Sequence, residues 1–125
     1  MGDNKGYIRK SDDRGSVNIS EDVIAVIAAA AASEVEGVHG MFAPYGREIT
    51  HKIARKGAAK GVRILVGEDS SVSIDIQLFA EMGFSINEVG QKVQTAVKSA
   101  VEQAAGLTVG AVNVHICGIA LRKDK

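Results

Sequence analysis

FSINEVGQKVQTAVKSAVEQAAGLTVGAVNVHICGIAL, residues Phe84 to Leu121, reads as a helix followed by a strand, and the rest of the chain has to supply what they pack on. Ser85 and Glu88 stand in the S-x-x-E relation of a capping box, which satisfies backbone N–H groups that the first helical turn leaves without partners. Phe84 before the cap and Val89 after it are spaced as a hydrophobic staple. Ile86, Val89, Val93, Ala96, Val97, Ala100, Val101 and Ala104 recur at three- and four-residue steps, so they share one helix face. Polar side chains from Gln91 to Gln103 fill the other. Gly106 is the expected stop, because glycine adopts the left-handed backbone that ends a helix without steric cost. Beyond it, Val112, Val114 and Ile116 alternate with Asn113, His115 and Cys117, the pattern of a strand with one wet face.

Upstream, Val62 to Val66 and Val72 to Ala80 alternate in the same way and flank the turn Gly67-Glu68-Asp69-Ser70-Ser71, which makes a hairpin. Ser20 is placed to cap a first helix, with Glu21 and Asp22 complementing the positive end of its dipole and Ile19 and Ile24 stapling it. From Val23 to Ala32 that helix is apolar all round. A helix of this kind is buried on more than one side or covered by another subunit. Gly37 is its expected stop, and Val38 to Phe42 follows as a short strand. Gly15 to Ile19 is a strand or extended lead-in. The order helix, strand, strand, strand, helix, strand gives an α+β fold. It is a two-layer sandwich with two helices packed on one face of a mostly antiparallel sheet of three to four strands. The hairpin's second strand and the last strand can run parallel, joined by the capped helix.

At 125 residues the chain has the length of one domain. Residues 1–14, polar apart from Tyr7 and Ile8, are expected as a mobile N-terminal tail, residues 15–121 as the domain, and residues 122–125 as a charged C-terminal tail. Fifteen basic and fifteen acidic side chains leave no formal net charge, which argues against a protein built to coat nucleic acid. With no Trp, two Tyr and three Phe, the core has to be made of small aliphatic groups. The single cysteine, Cys117, excludes an internal disulfide framework and fits a cytoplasmic setting. The apolar run Val23 to Ala32 is about half the length a membrane span needs, so no transmembrane insertion is expected. The start Met-Gly-Asp-Asn-Lys-Gly carries Gly6 where a myristoylation signal needs Ser or Thr.

One segment is locally basic. Arg47, Lys52, Arg55, Lys56 and Lys60 face a single acid, Glu48, with Ile49 and Ile53 spaced for a short amphipathic helix. A solvated surface is the ordinary reading, and an anionic partner (lipid headgroup, nucleic acid or acidic protein) is the alternative. Reactive constellations are missing. His115 and Cys117 share a strand face, and His39 and His51 could join them as metal ligands, but there is no Cys-x-x-Cys. Side chains two apart on a strand stand parallel, which disfavours a Cys117–His115 nucleophile pair. Asp75, Glu81 and Glu88 are each accounted for by a wet strand face, a strand end and a helix cap. With no phosphate loop, dinucleotide fingerprint or His-Glu-x-x-His, no catalytic residue, metal or cofactor is expected.

Five stretches together resemble the alkaline shock protein family of Gram-positive bacteria. They are GSVNISEDV (Gly15 to Val23), EGVHGM (Glu36 to Met41), GVRI with VSIDI (Gly61 to Ile64, Val72 to Ile76), VQTAVKSAV (Val93 to Val101) and VNVHICGI (Val112 to Ile119). The resemblance implies a non-enzymatic cytoplasmic protein of the cell-envelope stress response. Such a protein self-associates into a homo-oligomer and is held near the membrane by a separate membrane-anchored protein partner. It carries over no catalytic residues. The competing reading is a small nucleic-acid-binding α+β module using Arg47 to Lys60, since RNA-binding folds include similar element orders. Scarce aromatic side chains and zero net charge weigh against it.

Overall fold

A computed structural model describes residues 7–41, 61–67 and 71–121. In chain order the elements are β1 (Tyr7–Asp12), β2 (Gly15–Ser20), α1 (Glu21–Ser33), β3 (Val38–Met41), β4 (Val62–Val66), β5 (Val72–Glu81), α2 (Ile86–Ala105) and β6 (Val109–Ala120). Strand β5 is the axis of the main sheet. Along one side it pairs antiparallel with β4 (Val62 opposite Ile76, Val66 opposite Val72) and then with β3 (Val38 opposite Ala80, Met41 opposite Leu78). Along its other side it pairs in parallel with β6, from Val72 to Glu81. So β3 and β4 lie end to end in one row, β5 fills the next, and β6 is the outer strand. Both helices cover one face of this sheet, as the sequence pattern predicts. Helix α1 packs over β3 and β4, α2 packs over β6, and the two helices touch each other.

The core is aliphatic. Ile74, Ile76, Leu78, Val93, Val97 and Val101 are wholly buried, and Ile24, Ala25, Ala28 and Ala32 bring α1 down onto them. Small alanines let that helix approach closely. Ser20 Oγ accepts from Asp22 N at 3.0 Å, and Ser85 Oγ accepts from Glu88 N at 3.4 Å, so both expected N-caps are in place. Gly106 closes α2 at φ 69°, with its N–H on Glu102 O at 2.9 Å.

Three details depart from the sequence reading. First, Tyr7–Asp12, placed there in a tail, is a strand paired with β2 through the turn at Asp13-Arg14. Ile8 is 3% exposed within the core, and Lys10 Nζ donates to Gly106 O at 2.7 Å, capping the far end of α2. One buried isoleucine and one lysine dock a segment whose composition is otherwise that of a solvated chain. Second, α1 stops at Ser33, with Glu34 N on Ala31 O and Val35 N on Ala32 O. Gly37 instead supplies a turn at φ 96° that opens β3. Third, the buried row of α2 is Val89, Val93, Val97, Val101 and Ala105, so Ala105 and not Ala104 completes it. The short helix expected within Arg47 to Lys60 lies outside the described residues, as do residues 122–125.

Candidate association surfaces

The face of the sheet turned away from the helices carries the polar residues that a chemical site would use. Asn113 Nδ2 donates to Asp75 Oδ1 at 2.9 Å across β5 and β6, and His39 Nδ1 stands 3.7 Å from Glu81 Oε2. His115 on β6 lies opposite Gln77 of β5, while His39 sits on β3 across the width of β5, so the sheet keeps these two imidazoles apart. Cys117 is exposed, and its Sγ lies 3.8 Å from His115 O, the range of a weak thiol hydrogen bond to backbone. Among the described residues no three His, Cys, Asp or Glu side chains come together in metal-binding proximity. His51 lies outside those residues. Asp75 and Glu81 share a strand face six residues apart, about 20 Å at strand rise, and Glu88 is at the start of α2. These carboxylates do not converge.

The described residues line two concavities that could be weighed as sites. One, of about 540 Å³, lies between the β1–β2 hairpin and the end of α2, lined by Lys10, Asp12, Arg14, Ile19 and Ala105. There Arg14 holds Asp12 below the usual carboxylate range, through its backbone N–H first and its guanidinium second. The other, of about 600 Å³, is a shallow groove between Val35, Glu36 and the outward face of α2 at Glu88, Lys92 and Thr95. Neither brings a nucleophile to a base.

Among the described residues, nothing covers one apolar side of α1, and no strand pairs with the edge of β6 that is turned away from β5. On α1, Val23 is 49% and Val26 46% exposed, with Ile27 half-buried between them and the core. This is the second side of the helix that is apolar all round. On α2, the side chains read from sequence only as a wet face have work to do. Glu102 Oε2 accepts from Val109 N at 3.0 Å, Lys98 Nζ donates to Val109 O at 3.1 Å, and Gln94 Nε2 donates to Val112 O at 3.0 Å. Spaced four apart, they reach over the edge of β6 and bond its first half. The Val109 N–H, with the Lys98 ammonium second, keeps the Glu102 carboxyl below its ordinary range. Periodicity alone could not have found this row, because it separates wet from dry faces and does not say what a wet side chain bonds. The expected anionic-partner residues Arg47, Lys52, Arg55, Lys56 and Lys60 lie outside the described residues.

The sequence matches the profile of the alkaline shock protein 23 family, described by its cell envelope-related function, over residues 9–121. The chain belongs to the alkaline shock protein 23 family. Relatives include Spy1535 of Streptococcus pyogenes, 34% identical over 87% of this chain and 82% of its own length. YqhY of Bacillus subtilis is 32% identical (84% and 77%), and YloU of the same organism is 33% identical (84% and 88%). Each of the three carries the name of an uncharacterized protein. Among solved structures, a zinc form of a MamM CTD variant aligns at TM-score 0.44 with 17% identity, over 82% of this chain and 87% of that one. A second MamM CTD variant gives 0.46 with 15% identity, over 82% and 96%. The family match begins at residue 9, inside β1, so in this alkaline shock protein 23 family member the hairpin ahead of α1 falls within the matched region except for its first two residues, Tyr7 and Ile8.

Proposed function

We propose that this protein works by association and not by turnover. In this reading it is a cytoplasmic, self-associating member of a cell-envelope family, held near the membrane through a membrane-anchored protein and contributing to envelope homeostasis under stress. The observation that carries the reading is the outer side of α1. Val23 and Val26 stand about half exposed on a helix whose other side is already buried, and water is a poor final environment for that face. The family's cell envelope-related description supplies the cellular setting. Among the described residues no helix is long and apolar enough to cross a membrane, which fits contact with the envelope through a partner.

Co-sedimentation separates this reading from direct lipid binding. The purified chain is mixed with native membranes of its source, with the same membranes after protease shaving, and with protein-free vesicles of the same lipids. The proposal predicts pelleting with native membranes only. Equal pelleting with protein-free vesicles, or none with native membranes, contradicts it.

A further inference from the structure

The row of α2 side chains that bonds the edge of β6 runs Glu102, Lys98, Gln94 in steps of four, and the next position in that row is Gly90. Gly90 has no side chain to reach with, and a Cβ there would lie 4.0 Å from Ile116 Cδ1, so it stands beside the second half of β6. The backbone directions along the strand follow. The Val112 carbonyl bonds Gln94 and so faces away from β5, and in a regular strand every second residue faces the same way. Val114 and Ile116 therefore turn their N–H and C=O groups outward, up to the irregularity that follows Leu78 in the β5–β6 register. Among the described residues no strand pairs with that side. Natural edge strands are usually guarded by charge or proline. Val109 to Leu121 contains no Asp, Glu, Lys, Arg or Pro.

We propose that the open half of β6 is where a second copy of this chain docks, strand to strand and antiparallel, about a two-fold axis at His115. This rests on the self-association reading above and gives it a surface. With His115 opposite its own copy, Val114 of each chain faces Ile116 of the other, and the outward N–H of each donates to the C=O of its opposite. Every open donor in that stretch meets an open acceptor. An uncharged strand pairing with itself incurs no like-charge repulsion, which is why the occupant is another copy and not a charged peptide. The small side of Gly90 lets the two α2 helices close over the joined sheet.

His115 is exposed, so substitution there leaves the core intact. Light scattering on the wild-type protein should give twice the 13.1 kDa chain mass at high concentration. His115→Glu and His115→Lys should each shift the mass to that of one chain, and an equimolar mixture of the two should return it to a dimer. Gly90→Gln extends the bonding row over the open edge, and should give a monomer whose Tm is equal to or above that of wild type. A dimer that survives His115→Glu or Gly90→Gln, or a mixture that stays monomeric, overturns this interface and leaves self-association by another surface standing. A wild-type protein that is monomeric throughout overturns both.

Discussion

Gly37 is buried at φ 96°, and a Cβ built on it would lie 2.6 Å from Val89 Cγ2 and 3.1 Å from the Phe84 ring. The staple at the head of α2 therefore closes on a glycine that also turns the chain into β3. Gly37→Ala adds a methyl group in a backbone region that L-residues avoid, under two side chains that are already packed. A loss of about 1–3 kcal/mol in urea unfolding is expected. Glu102 offers a pH test. Its carboxyl titrates below its ordinary range in the folded state because the Val109 N–H and the Lys98 ammonium favour the charged form. A depressed carboxylate contributes stability that is present above its unfolded pKa and lost as pH falls through the folded one. Wild-type Tm should accordingly fall more steeply than that of Glu102→Gln between neutral pH and about pH 3. Parallel pH profiles for the two proteins would remove Glu102 from the edge of β6.

The two helices are read best by comparing the same substitution on each. Val97 is wholly buried and Val26 is 46% exposed. Val97→Asp places an unpaired charge in the core and should abolish the cooperative thermal transition seen by far-UV circular dichroism. Val26→Asp should change monomer stability by no more than about 0.5 kcal/mol, since surface positions tolerate such changes. Equal losses would mean that the outer side of α1 is covered. Much of this level was legible in the residues. The Ser20 and Ser85 caps, the Gly106 stop and the hairpin of β4 and β5 follow from local chemistry or period, while the parallel pairing of β5 with β6 was one arrangement that the helix joining them permits. The tail that became β1 was not legible, because its docking depends on the long-range contacts of Ile8 and Lys10. The end of α1 was misplaced by three residues because Gly37 serves a turn and not a cap.

At the scale of the whole molecule, the sequence makes one of the two proposed association surfaces visible and hides the other. An all-round apolar α1 announces its uncovered side, because apolar residues in excess of what one sheet can bury have to face something. The open edge of β6 is invisible to periodicity, since it depends on which backbone groups Gln94, Lys98 and Glu102 reach and on the absence of reach at Gly90. Zero net charge and an uncharged closing strand suit a chain that meets copies of itself without mutual repulsion. On the proposed function, this protein acts by assembling. Solution mass, measured by sedimentation velocity across a wide dilution series, tests that claim most directly. The predicted result is a weight-average mass that rises with concentration from 13.1 kDa toward twice that value or beyond, and a mass fixed at 13.1 kDa at every concentration contradicts it.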